Sequence, residues 1–474
     1  MDKPYYITTP IYYASGSPHI GHAYTTVAAD VLARYSRCMG RETYLATGTD
    51  EHGQKIAQKA EEAGEDPQNF VDARALEYIQ LWAEMGIEYD GFIRTTTPAH
   101  KLAVQRVLTA LYESGAVYKG EYSGLYCVGC EQFKMEDDLV DGKCPDHNIV
   151  PTQMSEETYM MKMTELQPEL LRRIESRELD IQPEQFRGEM LSFLTSQKLE
   201  DVSISRKNVA WGIPLPFDPS HTTYVWVDAF LNYLTVFGWD GDADVIPVEW
   251  PADVQFIGKD ILRVHATIWP AILMHLGIPT QQLLYTHGFI LSGGRKMSKT
   301  VGNVIAPRDL LDRFGVDGTR YLLMSLGSFG ADVDLTVERA EAKYTSDLVN
   351  GIGNLASRIM KLVEKIPNYS FTTQVNGFDA AYQDHMDHVR LYEALEMVMT
   401  RVRQMNKTVD ETKPWELMKT DIAKGTEILY ALVADLSWVS LHLAPFMPET
   451  TYTLGEDMLC DGKPAHLFAR LEKK

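Results

Sequence analysis

Several features are scarce in this chain, and each scarcity removes a class of protein. No stretch approaches the roughly 20 consecutive apolar residues of a membrane-spanning helix. Five cysteines in 474 residues are too few, and odd in number, for a disulfide framework. Cys38 and Cys460 stand alone in sequence, and each reads as a small packed residue rather than a reactive thiol. Positive charge is outnumbered: 45 Lys and Arg face 66 Asp and Glu, a net charge of −21. Indiscriminate nucleic-acid binding, which depends on phosphate neutralisation, is therefore disfavoured, but one specific RNA ligand is not. The deficit is uneven. From Asn350 onward 14 Lys and Arg meet 17 Asp and Glu, net −3, which leaves −18 in the first 349 residues. The nearly neutral C-terminal part can approach a polyanion more easily. No internal repeat or low-complexity run interrupts the chain. Met1-Asp2-Lys3-Pro4-Tyr5-Tyr6 carries neither a basic-then-apolar leader nor an Arg-rich transit pattern, so a cytoplasmic protein is expected.

What is present is enough for large cores. Hydrophobic residues make up 45% of the chain, and its length predicts two or three domains. Strand and helix alternate over residues 1–115: a strand at Tyr5–Thr9, a helix from Ile20 to about Cys38, a strand from Glu42 to Thr47, and helices near Gln54–Ala63 and Gln68–Met85. Such alternation implies a parallel sheet with helices on its faces, a Rossmann-type α/β fold. Residues 116–222 break the pattern and read as a connective insertion. It returns over 223–305, with strands at Val254–Gly258 and Leu284–Phe289 and a helix through Leu276, so the sheet is expected to be split around the insertion. Residues 306–347 read as a linking stem, and 348–474 as amphipathic helices separated by Pro367, Gly377 and Pro414, a helical bundle.

Two segments carry the chemistry. Pro18-His19-Ile20-Gly21-His22 places two imidazoles three residues apart at a helix start. Unpaired N–H groups and the positive dipole end favour phosphate there, and Gly21 lets a ligand approach the backbone. A donor aimed at charge developing on a reacting phosphate contributes about 3–4 kcal/mol. Lys296-Met297-Ser298-Lys299-Thr300 follows Ser292-Gly293-Gly294-Arg295, whose glycines predict a mobile loop. Its lysines can neutralise a departing pyrophosphate, which is catalysis by positioning and electrostatics, with Mg2+ on the phosphates. Alone, such histidines are more often surface or core residues or half a metal site, and such lysines usually a solvated face. Together, on a split α/β sheet, they read as two halves of one ATP site.

These two segments resemble the signatures of class I aminoacyl-tRNA synthetases, with Thr300 standing where Ser is usual. Pro10-Ile11-Tyr12-Tyr13, Gly48-Thr49-Asp50-Glu51-His52-Gly53, Tyr224-Val225-Trp226-Val227-Asp228-Ala229 and Phe256-Ile257-Gly258-Lys259-Asp260-Ile261 narrow the resemblance to the methionyl-tRNA synthetases, over residues 4 to about 460. The resemblance implies ATP binding at His19, Gly21, His22, Gly258, Lys296 and Lys299. The catalytic set would be His19, His22, Lys296 and Lys299. It also maps Ile11, Tyr13, Asp50, Trp226, Ala229, Tyr233, Ile261 and His265 to a methionine pocket. The residue types suit that ligand: Asp50 can take the ammonium group, and Tyr13, Trp226 and Tyr233 can offer aromatic faces to the thioether, each contact contributing about 0.3–1.5 kcal/mol. Phe230 is larger than the residue expected after Ala229. An apolar pocket discriminates one methylene by only about 1–3 kcal/mol, and relatives for branched amino acids carry a large editing insertion. The shorter insertion here favours methionine or cysteine.

Cys127-Val128-Gly129-Cys130 is followed, after 13 residues, by Cys144-Pro145-Asp146-His147. Two half-knuckles at this spacing predict a closed structural Zn2+ site of Cys127, Cys130, Cys144 and His147, with His147 departing from the usual fourth cysteine of the resembled family. A redox pair at Cys127 and Cys130 is the alternative. Asn354 and Arg358 share a helical face, and Trp415 follows Lys413-Pro414 at a helix start. Stacking and base-edge hydrogen bonds are how unpaired RNA bases are read. The resemblance places these three at the anticodon-reading positions. The whole reads as an enzyme that joins methionine to its tRNA through methionyl-adenylate, expected to be monomeric. A small-molecule nucleotidylyltransferase and a non-catalytic tRNA-binding paralogue are the rival readings.

Overall fold

The structure is a computed structural model that describes residues 3–128, 132–134, 136, 139–145, 148–207, 209–297, 303–371 and 377–471. The chain divides into two compact units: Met1–Pro18, Glu42–Leu81 and Glu88–Thr286 in one, and His19–Arg41, Trp82–Ile87 and His287–Lys474 in the other. No helix among the described residues is long and apolar enough to cross a membrane.

The first unit is built on a seven-stranded sheet. Strand Tyr5–Thr8 lies between Thr43–Asp50 and Val254–Gly258, parallel to both, with Ile7 opposite Leu45 on one side and Val254 on the other. The two sequence halves of the sheet therefore meet at its centre. Val254–Gly258 is buried at every position, as a parallel strand covered on both faces requires. Leu283–His287 extends the sheet, and Asp180–Gln182, from inside the predicted insertion, adds the edge strand beside it. On the opposite side, Thr43–Asp50 pairs with Gly91–Arg94 and, at its end, with Tyr12–Tyr13. Gly48 is needed at that junction: a Cβ there would lie 2.1 Å from the Ile93 carbonyl oxygen. Tyr6, Leu111, Phe230, Tyr233, Trp250, Ile257 and Trp269 belong to one buried hydrophobic core.

The rest of the insertion is more regular than its sequence suggests. Val117–Cys127 and Thr152–Met161 pair antiparallel from Val117 opposite Met161 to Tyr126 opposite Thr152. The helix expected through Leu276 is two helices, Leu262–Ala266 and Ile268–Leu276, broken at Thr267, whose φ and ψ are −126° and −66°.

The second unit is mainly helical. In Leu391–Thr412 the buried residues Leu391, Ala394, Leu395, Val398, Met399, Val402, Met405 and Val409 recur at helical spacing, so one apolar stripe faces the core. That helix stops at Lys413, in the left-handed region with φ 46°, and Pro414 starts the next. A buried ion pair ties helix Ile20–Cys38 to helix Pro307–Met324: Arg320 Nη2 donates to Asp30 Oδ2 at 2.5 Å. Arg320 also donates to the Phe446 and Pro445 carbonyls at 2.9 and 3.2 Å. Cys38 and Cys460 are exposed, contrary to the packed role expected of them. Each is the last residue of a helical segment, where the final turn reaches the surface.

Candidate active site

The histidine segment is a helix cap made of its own side chains. His19 is the N-cap of Ile20–Cys38, in extended conformation with φ −119° and ψ 173°. Its Nδ1 accepts the Gly21 N–H at 3.1 Å, and His22 Nδ1 accepts the His19 N–H at 3.3 Å. The two rings stack with centroids 3.5 Å apart. A Cβ at Gly21 would sit 3.0 Å from the folded-back His19 ring, so a larger residue there would press the ring out of place by a few tenths of an ångström. Each Nδ1 is occupied as an acceptor, so each neutral ring carries its proton on Nε2 and can donate it to an oxygen. The outer edge of His19 is open to solvent, but protein around the ring lowers its pKa to about 4. Burial, reinforced by the neighbouring His19, holds His22 well below the usual histidine value. Two neutral N–H donors at a helix N-terminus suit a polyphosphate.

The stretch leading into the lysine segment forms a hairpin. Ile290–Ser292 and Arg295–Lys296 form an antiparallel hairpin, and Gly293 and Gly294 turn it with φ 62° and 73°. Both glycines adopt the positive φ that a two-residue I′ turn demands. The hairpin pairs with Val333–Asp334, and the Gly294 N–H donates to Asp334 Oδ1 at 2.9 Å. Lys296 Nζ lies 4.5 Å above the Phe289 ring. Lys299 lies outside the described residues. At the foot of the hairpin, His287 Nε2 is 2.7 Å from Thr25 Oγ1 on the histidine-bearing helix.

In the first unit, the predicted methionine-pocket residues fall into two groups. Tyr13 pairs with Asp50 where their strands meet, and Ile11 lies beside Gly48. Trp226 and Ala229 sit on the short helix Val225–Phe230, and Tyr233 on the next turn. Tyr233 Oη is 2.8 Å from His265 Nε2, and His265 Nδ1 is 2.9 Å from the Ile261 carbonyl. His265 thus donates from Nδ1 to the carbonyl and accepts the tyrosine proton on Nε2. Burial lowers its pKa to about 4, against the opposing effect of the Ile261 bond, so the ring is neutral. Trp226 meets the His265 ring edge-on at 6.2 Å. Phe230 stacks on Trp269 at 5.8 Å and stands perpendicular to His265, so its extra bulk is taken up in the core. Gly258 ends its strand and leads into the turn Lys259–Ile261.

Several buried groups in the quoted blocks escaped the residue-by-residue reading. Glu51 accepts Thr49 Oγ1 at 2.6 Å, Arg94 Nε at 2.7 Å and Arg94 Nη2 at 3.0 Å. His52 Nδ1 is 2.6 Å from Asp228 Oδ2, and His100 Nε2 is 2.8 Å from Asp228 Oδ1. Burial works to raise the Asp228 pKa, but His52 and His100 outweigh it and bring it to about 2. The sequence signal was present, since acids and histidines interrupt otherwise apolar blocks, but their partners are far away in the chain.

Cys127 closes its strand and is fully buried, as is Cys144 in a turn where the Asn148 N–H donates to its carbonyl. Cys130 and His147 lie outside the described residues. Among the described residues, no group of three or more potential metal ligands gathers. In the second unit, Asn354 begins helix Asn354–Val363, one turn before Arg358. Arg358 lies 5.5 Å above the Trp415 ring and donates to Asp410 Oδ1 at 2.8 Å. Trp415 is only partly buried, unlike a core tryptophan.

A profile of the family described as tRNA synthetases class I (M) matches residues 5–150 and 147–360. The methionine–tRNA ligase of Caldanaerobacter subterraneus subsp. tengcongensis is 42% identical over 97% of this chain and 74% of its own length. That of Streptomyces coelicolor is 40% identical over 96% of this chain and 90% of its own. The structure of Mycobacterium tuberculosis methionyl-tRNA synthetase in complex with methionyl-adenylate superposes with a TM-score of 0.88 at 33% identity, over 100% of this chain and 98% of that one.

Proposed function

Because the chain belongs to the methionyl-tRNA synthetases of class I, we propose that it joins L-methionine to its cognate tRNA in two steps. The methionine carboxylate attacks the α-phosphate of ATP, giving methionyl-adenylate and pyrophosphate. The acyl group then passes to the 3′-terminal adenosine of the tRNA, releasing AMP.

The observation that carries the first step is the histidine cap. With both Nδ1 atoms occupied by backbone N–H groups, His19 and His22 present Nε2–H donors to phosphate oxygens without adding net charge. Gly21 and Gly258 leave room for the nucleotide, and Lys296 and Lys299 neutralise the departing pyrophosphate. Mg2+ bound with ATP would share that neutralisation. Asp50 binds the methionine ammonium group, and Ile11, Tyr13, Trp226, Ala229, Tyr233, Ile261 and His265 enclose the side chain. A neutral His265 hydrogen-bonded to Tyr233 places no positive charge beside the thioether. No side chain is assigned as a general base, since the attacking carboxylate is already ionised.

Cys127, Cys130, Cys144 and His147 would hold Zn2+. The two buried thiols fit that role, and the ion would be structural, closing an insertion with little core of its own. Asn354, Arg358 and Trp415 would read the anticodon, in keeping with a guanidinium stacked on a partly exposed indole. We read 1–115 and 223–305 as the catalytic halves, 116–222 as the connective insertion, 306–347 as the stem and 348–474 as the anticodon domain, in a monomeric cytoplasmic enzyme. ATP–pyrophosphate exchange across a panel of amino acids tests the reading. Exchange dependent on L-methionine is the expected result. No exchange with any amino acid overturns the assignment, and a small-molecule nucleotidylyltransferase would exchange only with its own non-amino-acid acceptor.

A further inference from the structure

A methionine pocket must hold two ends of one ligand at a set spacing, and here the two ends come from separate parts of the chain. Asp50 ends the strand Thr43–Asp50, whereas Trp226 and Ala229 sit on a helix of six residues. A helix that short does not sustain itself, so its position depends on tertiary anchors. Asp228, on that helix between Trp226 and Ala229, supplies one. Its Oδ2 takes the His52 Nδ1 bond at 2.6 Å, across 176 positions of sequence, and His52 lies two residues beyond Asp50. Its Oδ1 takes the His100 Nε2 bond at 2.8 Å, and His100 Nδ1 continues to Thr235 Oγ1 at 2.7 Å. Thr235 ends the turn that carries Tyr233. His52, His100 and Asp228 are at most 2% exposed, so water does not compete for these bonds. The strand end is held separately, by the Arg94 fork on Glu51 and by the Trp211 indole N–H donating to the Glu51 carbonyl at 2.6 Å.

We propose that Asp228, with His52 and His100, is the positioning element that sets the span between the ammonium-binding Asp50 and the thioether-binding Trp226 and Ala229, and so sets the enzyme's selectivity for side-chain length. The inference rests on the pocket assignment made above. A carboxylate is the right group because it accepts from both imidazoles at once. Asparagine is the conservative replacement: its amide N–H2 can face His100 if that ring moves its proton to Nδ1 and donates to Thr235. Alanine leaves two buried imidazole donors without an acceptor and frees the helix.

The test measures methionine-dependent ATP–pyrophosphate exchange with L-methionine, S-methyl-L-cysteine, which is one methylene shorter, and L-homomethionine, one methylene longer. One methylene is ordinarily discriminated about 10–200-fold. Asp228→Ala is expected to raise KM for methionine about tenfold or more and leave KM for ATP unchanged. It should also pull the selectivity ratios toward unity, and Asp228→Asn should restore most of both. His100→Gln, which disturbs only one arm, is the second variant should Asp228→Ala fail to fold. A role confined to stability would lower the melting temperature without moving the KM split or the selectivity ratios, and that result in folded Asp228→Ala or His100→Gln overturns the proposal. Asp50→Ala separates the two readings. If it abolishes exchange while the Asp228 and His100 variants keep wild-type selectivity, only the positioning role fails. If it leaves methionine KM unchanged, the pocket assignment fails, and the positioning role with it.

Discussion

Replacing His22 by asparagine separates two things that the ring does. The asparagine Oδ1 occupies nearly the place of Nδ1, so it can still accept the His19 N–H that now bonds His22 at 3.3 Å. A helix cap of this kind contributes about 0.5–2 kcal/mol, and the variant keeps it. What asparagine cannot do is reach outward with a donor at the Nε2 position. Loss of one preorganised donor to a reacting oxyanion costs about 2.7–4 kcal/mol, a fall of 10²–10³ in kcat. The expected outcome of His22→Asn is therefore a 10²–10³-fold slower ATP–pyrophosphate exchange, with a melting temperature close to that of the parent. The pH dependence is equally specific. His19, with a pKa of about 4, remains a neutral donor down to about pH 5, and His22, held well below its usual value, is neutral around pH 7. Exchange should show no acid limb from them near pH 6.5. Stability behaves differently. The unfolded chain protonates these rings near their ordinary value of about 6.5 and the folded chain does not, so stability is full above pH 6.5 and declines as pH falls toward 4. An acid limb near pH 6.5 that vanishes in His22→Asn would refute the neutral-donor assignment. So would a loss of exchange in His22→Asn no larger than its loss of stability.

Three further outcomes follow from other sites. Arg320→Met leaves the buried Asp30 carboxylate with Arg34, 2.8 Å away, as its remaining cation, so chemical denaturation should register a loss below the roughly 3–5 kcal/mol that a wholly unpaired buried charge costs, part of it recovered when Asp30→Asn is added. Purified protein should carry one zinc per chain by elemental analysis, and Cys144→Ser should release it. A metal-free wild-type protein would remove the zinc assignment. Trp415→Ala should weaken tRNA charging by about 1–3 kcal/mol, the contribution of one stacked base, and leave adenylate formation intact. Equal losses in charging and exchange would count against an anticodon role.

Much of the local structure was legible because it depends on neighbours in sequence. The helix from Ile20 to Cys38 begins where its periodicity places it. Tyr5–Thr8 and Val254–Gly258 are strands as their apolar, β-branched residues require. The turn before the lysine segment joins near and distant causes. Gly293 and Gly294, with positive φ, make a tight hairpin turn, and Asp334, forty residues on, bonds to it. The lone cysteines misled because sequence isolation says nothing of depth: both fall at helix ends on the surface.

The sequence by itself determined the chemistry on offer: two histidines at a helix start, a glycine-led lysine segment, half-knuckles of cysteine and a carboxylate just past a strand. Short-range spacing suffices to display these, since each is a run of a few residues. Only the tertiary structure decided which distant groups meet. Arg320 finds Asp30 across 290 positions, and Arg94 finds Glu51 across 43. Asp228 receives His52 and His100 from two other segments of the chain. Buried charges must be paired, so these meetings are strongly enforced once the chain folds. No hydrophobic period records them, because a charged residue paired in the core and one facing solvent look alike in sequence.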